Sequence, residues 1–417
     1  MALTITTLII KKLEEDEKMR KILRDAKLDY KIPKFGKAEY EKESIEERRE
    51  WVSKVTGCEL KHIGCYSEDS RNMKGNIENL IGVCQIPLGI AGPLLIKGDY
   101  ANGYFYVPMA TTEGALVLVY HMGMKLITLS GGARVKVIKD NVHISPMFYV
   151  KDLVDAEEFI GWIRENTLLI KKEAEATTKH GKLLAIDPFL MGRRVILKLS
   201  FFTEDAHGLN MINKACEAAC EFIKKETRRK YILRSHFSSI KSVSTNNIHI
   251  GQAKCVFAEF TLPKRVLKRF FNITPEEVEK YFISTLLAST YAGRISEDAQ
   301  IANGIAAIFI ACGQDVADVS VSHIGRSMCE VTEEGDLYVS TYIPNLFVGT
   351  VGGGTGLSTQ RECLEILGCY GSGKAKKFTE IVAASILAGE IAVLLALVSG
   401  NYVEAHERHG RNKPKEI

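Results

Sequence analysis

Between residues 146 and 232 the chain runs through an order of elements that few folds accommodate. A strand is expected at 148–150, a long helix at 155–177, strands at 182–186 and 195–202, a helix at 210–227 and a closing strand at 231–233. Strand-helix-strand-strand-helix-strand is the ferredoxin-like order, so the segment reads as a unit of its own. The flanks differ in character. Residues 1–81 are charged and helix-prone and are expected to form a helical N-terminal region. From 82 onward, apolar stretches broken by Gly and Pro (IGVCQIPLGIAGP at 81–93) and strand formers at 103–109 and 134–138 point to buried loops and strands. Beyond 233, Thr274-Pro275-Glu276-Glu277 is a capping box with proline at the first helical position, opening a helix to about Tyr291. The apolar run at 305–312 stops at Gly313-Gln314-Asp315, and the run at 381–399 suits a buried core helix because Glu390 interrupts it.

Composition narrows the function. With 417 residues and a 46% hydrophobic share, two or three packed domains are expected. The 55 basic residues nearly cancel 51 acidic ones, so no broad field draws nucleic acid or a membrane surface, and neither is an expected partner. Ten cysteines lie between Cys58 and Cys369 without a CxxC pair or zinc spacing, the usage of reduced core thiols in a cytoplasmic protein. The N-terminus lacks the small-residue cleavage site of a signal peptide.

Several residues invite chemistry, each with a plainer reading beside it. Glu113 stands in the uncharged stretch Ala110-Thr111-Thr112-Glu113-Gly114-Ala115, where a desolvated carboxyl would have a raised pKa, although on these residues alone a capped helix start is the stronger reading. Asp315 ends a buried run and needs a partner there. Lys241 and His406 read, on composition, as a solvated lysine and a surface histidine. Asp205-Ala206-His207-Gly208 precedes a helix whose first N–H groups could cradle a phosphate. The loop Gly349-Thr350-Val351-Gly352-Gly353-Gly354-Thr355 is neither a Walker nor a Rossmann turn, leaving phosphate binding and tight packing both open.

Taken together, ENLIG (78–82), PLGIAGPL (87–94), PMATTEG (108–114), DAHGLNM (205–211), IACGQD (310–315) and GTVGGGT (349–355) resemble, in order and spacing, the signature blocks of the HMG-CoA reductase family, nearest its archaeal and eukaryotic class. The resemblance covers about residues 45–412. It implies an α+β fold in which a ferredoxin-like small domain (146–232) that binds NADPH is inserted into a large α/β domain (82–145 and 233–417) that binds the acyl-CoA substrate, after the N-terminal region 1–81. It also implies a homodimer or higher homo-oligomer with active sites at the interface, and a place in mevalonate and isoprenoid synthesis. The catalytic set carried over is Glu113 as proton donor, Lys241 as the cation facing the oxyanion, Asp315 linking the two, and His406 as acid for the departing thiolate. Asn303 matches a substrate contact. Asp205, His207, Gly208, Leu209, Asn210 and Met211 match the cofactor block, with His207 in place of the usual methionine. Thr178, Lys179 and His180 fall in the segment handling the extra ribose phosphate, and Gly352, Gly353 and Gly354 fit close approach to the cofactor.

The departures are concentrated at the substrate end. The family's Asp-Lys-Lys-Pro run reads Ile240-Lys241-Ser242-Val243, and an arginine that follows Met-Thr in the family falls at Ile144. In the family those groups grip the free carboxylate of the substrate. Arg134, Lys136 and Arg234 are the cations that could replace them. On the CoA side, a Ser-x-Asn-Arg-Gly stretch is replaced by Val119-Tyr120-His121-Met122-Gly123, and a histidine by Gln300. Three functions follow: reduction of HMG-CoA to mevalonate, reduction of another thioester or aldehyde lacking the second carboxylate, or a catalytically silent binding subunit.

Overall fold

The computed structural model describes Glu17, Lys21 and residues 32–403, in two units, 1–86 and 87–417. In the first, helix α1 (Lys42–Thr56) ends where Gly57 turns left-handed and donates to Ser53 O. The Arg48 guanidinium on α1 is wholly buried, donating to Leu80 O at 2.6 Å and Pro33 O at 3.3 Å and pairing with Glu39. A buried cation satisfied this way gathers the surrounding chain. From 57 to 86 the described chain is irregular apart from the 3₁₀ turn Ser70–Met73, because Gly75, Asn76, Asn79 and Gly82 interrupt helical periodicity.

The second unit is built on ten strands: β1 (Leu88–Gly98), β2 (Asn102–Ala110), β3 (Ala133–Ile144), β4 (Met147–Tyr149), β5 (Lys182–Leu190), β6 (Arg194–Phe202), β7 (Tyr231–Ile232), β8 (Ala253–Leu262), β9 (Arg326–Val331) and β10 (Leu337–Leu346). Their order is β7-β4-β6-β3-β8-β10-β9, with β5 on the edge of β6 and β1 joining β2 to β3. Strand β3 divides its pairing: residues 134–141 lie against β8, and Val142, His143 and Ile144 against β6. One long strand therefore serves two half-sheets, each with its own core.

In the first core, α2 (Leu116–Leu129) and the 24-residue helix near the C-terminus cover the strands. These two helices approach so closely at Gly123 that a Cβ there would come within 1.9 Å of Ala388 O, which only glycine permits. The C-terminal helix (Ala375–Val398) is the one described helix long and apolar enough to cross a membrane, and 72% of its apolar window is buried inside the protein. Its two carboxylates are each used. Glu380 accepts from the N–H groups of Asp99, Tyr100 and Ala101, and Glu390 from those of Ala299 and Gln300 and from the Ser327 hydroxyl. Buried carboxylates thus hold the β1–β2 turn and the start of the helix at Ile301.

The second core lies between β3–β7 and three helices, α3 (Leu153–Glu165), α4 (Thr167–Glu175) and α5 (Leu209–Thr227). The single helix expected at 155–177 is two, because Asn166 Nδ2 donates to Trp162 O and Thr167 Oγ1 to Ile163 O, which competes with the helical ladder. In the order β7-β4-β6-β5 each neighbouring pair is antiparallel. The remaining helices are α6 (Thr245–Ile250), α7 (Lys264–Phe271), α8 (Pro275–Tyr291, with the expected capping box), α9 (Ile301–Ala311), α10 (Val319–Ser322) and α11 (Ser358–Ile366), which makes the C-terminal helix α12. All ten cysteines are free, seven of them buried.

Candidate active site

Lys241 is displayed by a tight turn between β7 and α6. Both Ser239 and Lys241 have left-handed backbones (φ 47° and 56°), a conformation that costs free energy for side-chain-bearing residues and persists when neighbours enforce it. The enforcer is Asn247, 1% exposed, whose Nδ2 donates to Ser239 O at 3.2 Å and Ser242 O at 3.3 Å, one on each side of Lys241. Held so, Lys241 Nζ lies 2.5 Å from Asp315 Oδ2, and Asp315 Oδ1 accepts from Ala317 N. Partial burial pushes the Asp315 carboxyl up, but the hydrogen bond and charge of Lys241, with Ala317 N–H, bring it below the usual aspartate value. It therefore stays an anion and keeps the Lys241 side chain aimed.

Glu113 and Asn303 form a second pair, with Asn303 Nδ2 3.5 Å from Glu113 Oε1. In this single chain Glu113 is exposed rather than desolvated, because its turn stands at the surface where Ala115 goes left-handed to open α2. The two pairs are not joined. Asn303 sits in the first turn of α9 and Asp315 just beyond its last, about 12 Å apart along the helix axis. The structure brings Asp315 to Lys241 and Asn303 to Glu113, and among the described residues no hydrogen bond or ion pair joins Asp315 to Glu113.

The glycine-rich loop and the 205–208 turn are tied together beside Asp315. Thr350 N donates to Asp205 O at 2.8 Å, Ala206 bridges to Val351, and Gly349 N donates to Gln314 Oε1 at 2.8 Å. Both Asp205 carboxylate oxygens are occupied by backbone, Gly373 N at 2.6 Å and Ala375 N at 2.9 Å, so this residue clamps the start of α12. His207 Nε2 reaches the buried Asp318. The triple glycine divides in use: Gly352 and Gly353 have positive φ and open space where a Cβ would be, whereas a Cβ on Gly354 would press within 2.9 Å of Gly313 O. Of the two readings left open for this loop, tight packing describes Gly354, while Gly352 and Gly353 leave open space.

Gly208, left-handed, precedes α5, and no side chain caps the first turn formed by Leu209, Asn210 and Met211. Thr178 Oγ1 lies 3.0 Å from Met211 Sδ and accepts from His180 N, while His180 Nδ1 pairs with Glu204 at 2.9 Å. Lys179, between Thr178 and His180, is exposed. His406 lies outside the described residues.

Ile144 corrects an expectation. Its side chain is 1% exposed in the second core, with the residue opposite Leu199 in the β3–β6 ladder, so it does not face a substrate. Three residues that organise the site carried little sequence signal: Asn247, Gln314 and Asp318. Of these, only Gln314 lay inside a recognisable block, next to Asp315.

The profile of the hydroxymethylglutaryl-coenzyme A reductase family matches residues 44–411. The 3-hydroxy-3-methylglutaryl-coenzyme A reductase of Methanocaldococcus jannaschii is 43% identical over 94% of this chain and 98% of its own length. That of Pyrococcus horikoshii is 39% identical over 92% of this chain and 95% of its own length. Among solved structures, the class II reductase of Streptococcus pneumoniae bound to NADPH superposes with a TM-score of 0.66 at 19% identity, covering 87% of this chain and all of that one, a likeness of fold. The chain belongs to the hydroxymethylglutaryl-coenzyme A reductase family.

Proposed function

We propose that this protein reduces HMG-CoA to mevalonate with NADPH. The observation that carries the reading is the Lys241–Asp315 pair at 2.5 Å, set beside a glycine loop and a helix start that are open to a dinucleotide. The cofactor fits these residues: uncapped N–H groups of α5 and the free face of Gly352 and Gly353 suit phosphate, and Lys179 suits the additional phosphate that distinguishes NADPH from NADH. When bound it supplies hydride, two equivalents for thioester to alcohol.

Each hydride addition to the carbonyl leaves an oxyanion, and the Lys241 ammonium is the group to meet it. Asp315 orients that ammonium. Glu113 donates the proton that converts the aldehyde-level oxygen to alcohol, and His406 protonates the departing CoA thiolate. The ferredoxin-like strand order β7-β4-β6-β5 and the separate second core support the reading of 146–232 as the inserted cofactor domain. Because Glu113–Asn303 and Lys241–Asp315 lie toward opposite ends of α9, the complete site is assigned to a homodimer in which one copy supplies each pair. Ile240 and Ser242 favour a second reading, a paralogue acting on a thioester or aldehyde without the distal carboxylate.

The test is consumption of NADPH by the purified chain with HMG-CoA, with mevalonate identified as product at half the amount of NADPH consumed. No turnover at millimolar HMG-CoA would remove the reading, and turnover only with a monocarboxylic acyl-CoA would select the second.

A further inference from the structure

His207 and Lys241 reach the site from separate segments, yet each is paired with one end of the same short turn. Asp315 caps the 3₁₀ turn Val316–Asp318, and Asp318 N donates to Asp315 O at 3.0 Å, so the two carboxylates stand three residues apart. At that spacing the side chains of a 3₁₀ turn fall on one side. Asp315 takes Lys241 at 2.5 Å and Asp318 takes His207 at 2.6 Å. We propose that His207 is a further catalytic residue: it protonates the oxygen of the first hydride adduct and takes that proton back when the adduct breaks down. The proposal rests on the reading above, in which a thioester is reduced beside Lys241.

Three observations carry it. First, the two ring nitrogens are differently placed. Nε2 meets the wholly buried Asp318, whereas Nδ1 has no hydrogen bond among the described residues and the His207 side chain is 26% exposed. A carboxylate on one nitrogen fixes the ring and leaves the other free to exchange a proton. Second, His207 is clamped between the glycine loop and the turn that carries Asp315. Its ring lies against Phe347, and a Cβ at Gly349 would come within 2.7 Å of His207 N, so the loop backbone presses on this residue. Third, its charge reaches the reactive pair: after partial burial, Lys241 and the Ala317 N–H, His207 is among the causes that set the Asp315 carboxyl.

The proton balance closes. Once hydride has been added to the thioester carbon, the electron pair of the former C=O bond rests on oxygen opposite Lys241. The imidazolium proton of His207 passes to that oxygen, leaving a neutral hemithioacetal and a neutral ring. On breakdown the ring takes the same proton back as C=O forms again, and the C–S bonding pair leaves with sulfur, which His406 protonates. His207 ends as it began. The aldehyde so released is reduced with a proton from Glu113, so the second reduction does not call on His207.

The experiment measures NADPH oxidation by the full chain with HMG-CoA and with the corresponding free aldehyde, 3-hydroxy-3-methyl-5-oxopentanoate, which enters after the step assigned to His207. His207→Gln keeps an N–H that can reach Asp318 but has no proton to exchange. It should lower kcat with HMG-CoA about 100-fold, the scale of acid–base catalysis, and the loss with the aldehyde should be smaller by about tenfold or more. His207→Ala should lose kcat with HMG-CoA as well, and added imidazole should restore about tenfold of it without a gain on the aldehyde. Equal losses on both compounds would overturn the assignment, because a residue that only shapes the cofactor turn slows both reductions alike. So would a kcat with HMG-CoA within about threefold of the parent in His207→Gln. A parent chain that reduces neither compound fails the enzymatic reading itself, and the proposal with it. If the parent reduces only another acyl-CoA, the same comparison between that thioester and its aldehyde decides.

Discussion

Nε2 of His207 and Oδ2 of Asp318 meet at 2.6 Å although 111 residues separate them in the chain. Asp318 is fully buried, its other oxygen has no hydrogen-bond partner among the described residues, and the His207 ring lies against Phe347 with centroids 5.4 Å apart. The contact pins the 205–208 turn to the segment just after Asp315. Replacing His207 with methionine, the residue usual in the family, would strand a buried carboxylate without a counter-group. A loss of about 3 kcal/mol is expected from His207→Met, since breaking a buried pair by one partner costs more than removing both. His207→Met/Asp318→Asn should recover part of it. Urea denaturation of the four proteins of the cycle measures the coupling, and additive effects would mean that the contact holds nothing together.

Lys241 and Asp315 divide their work differently. Lys241→Ala removes the positive charge that the oxyanion needs and should lower kcat by about 100-fold or more, the cost of losing a preorganised oxyanion partner. Affinity for NADPH, read by fluorescence titration, should stay within about twofold, because the glycine loop and α5 are held by other contacts. Retention of kcat within about threefold would show that another group stabilises the oxyanion.

How much of this was legible beforehand depends on range. The capping box at Thr274 and the order of elements between 146 and 232 are local patterns, and both read through to the structure. The break at Asn166 was missed because helical periodicity continues through it, whereas a side-chain amide decides the ladder. Ile144 was misplaced for a different reason: aligning it with a family arginine says nothing about which way β3 turns its residues, and the pleat sends this one into the core. A long-range polar partner such as Asp318 for His207 has no sequence signature at all, because it arises from packing between distant segments. Asn247 lies only five and eight residues from the carbonyls it grips, yet how the Lys241 turn closes is not written in a local pattern either, so candidate residue types could be named while the residues that aim them could not.

The separation of Glu113–Asn303 from Lys241–Asp315 along α9 yields a complementation experiment. Glu113→Gln and Lys241→Ala homodimers should each be nearly inactive. Mixed after reversible dissociation, half of the dimers carry both lesions on different chains, and each of those has one intact site if the pairs meet across the interface. Activity should then return to about a quarter of the parent value. Mixtures no more active than the separate variants would place all four residues in one copy.

Glu390 gives the fold a pH dependence of its own. It is 5% exposed on α12; burial raises its carboxyl to about 7, against the pull of the Ala299 and Gln300 N–H groups and the Ser327 hydroxyl. In the unfolded chain the same carboxyl titrates near 4.3, the ordinary glutamate value of about 4.3. Between those values the folded protein keeps a proton that the unfolded chain has released, so stability falls as pH rises through this window and levels off above it. The full effect is on the order of 3 kcal/mol. His143, 1% exposed and with neither ring nitrogen hydrogen-bonded among the described residues, is pushed down to about 3 by burial, then by Lys198 and Lys139, and so removes stability as pH falls below about 6.5. Glu390→Gln abolishes the first slope and leaves the second, so the difference in unfolding free energy between parent and variant isolates the carboxyl. That difference should shift against the parent between pH 5 and pH 8, taken as about two limits either side of the folded value. Unfolding titrations in urea across that range measure it, and a difference that stays flat would mean that Glu390 is already ionised at pH of about 5 in the folded protein.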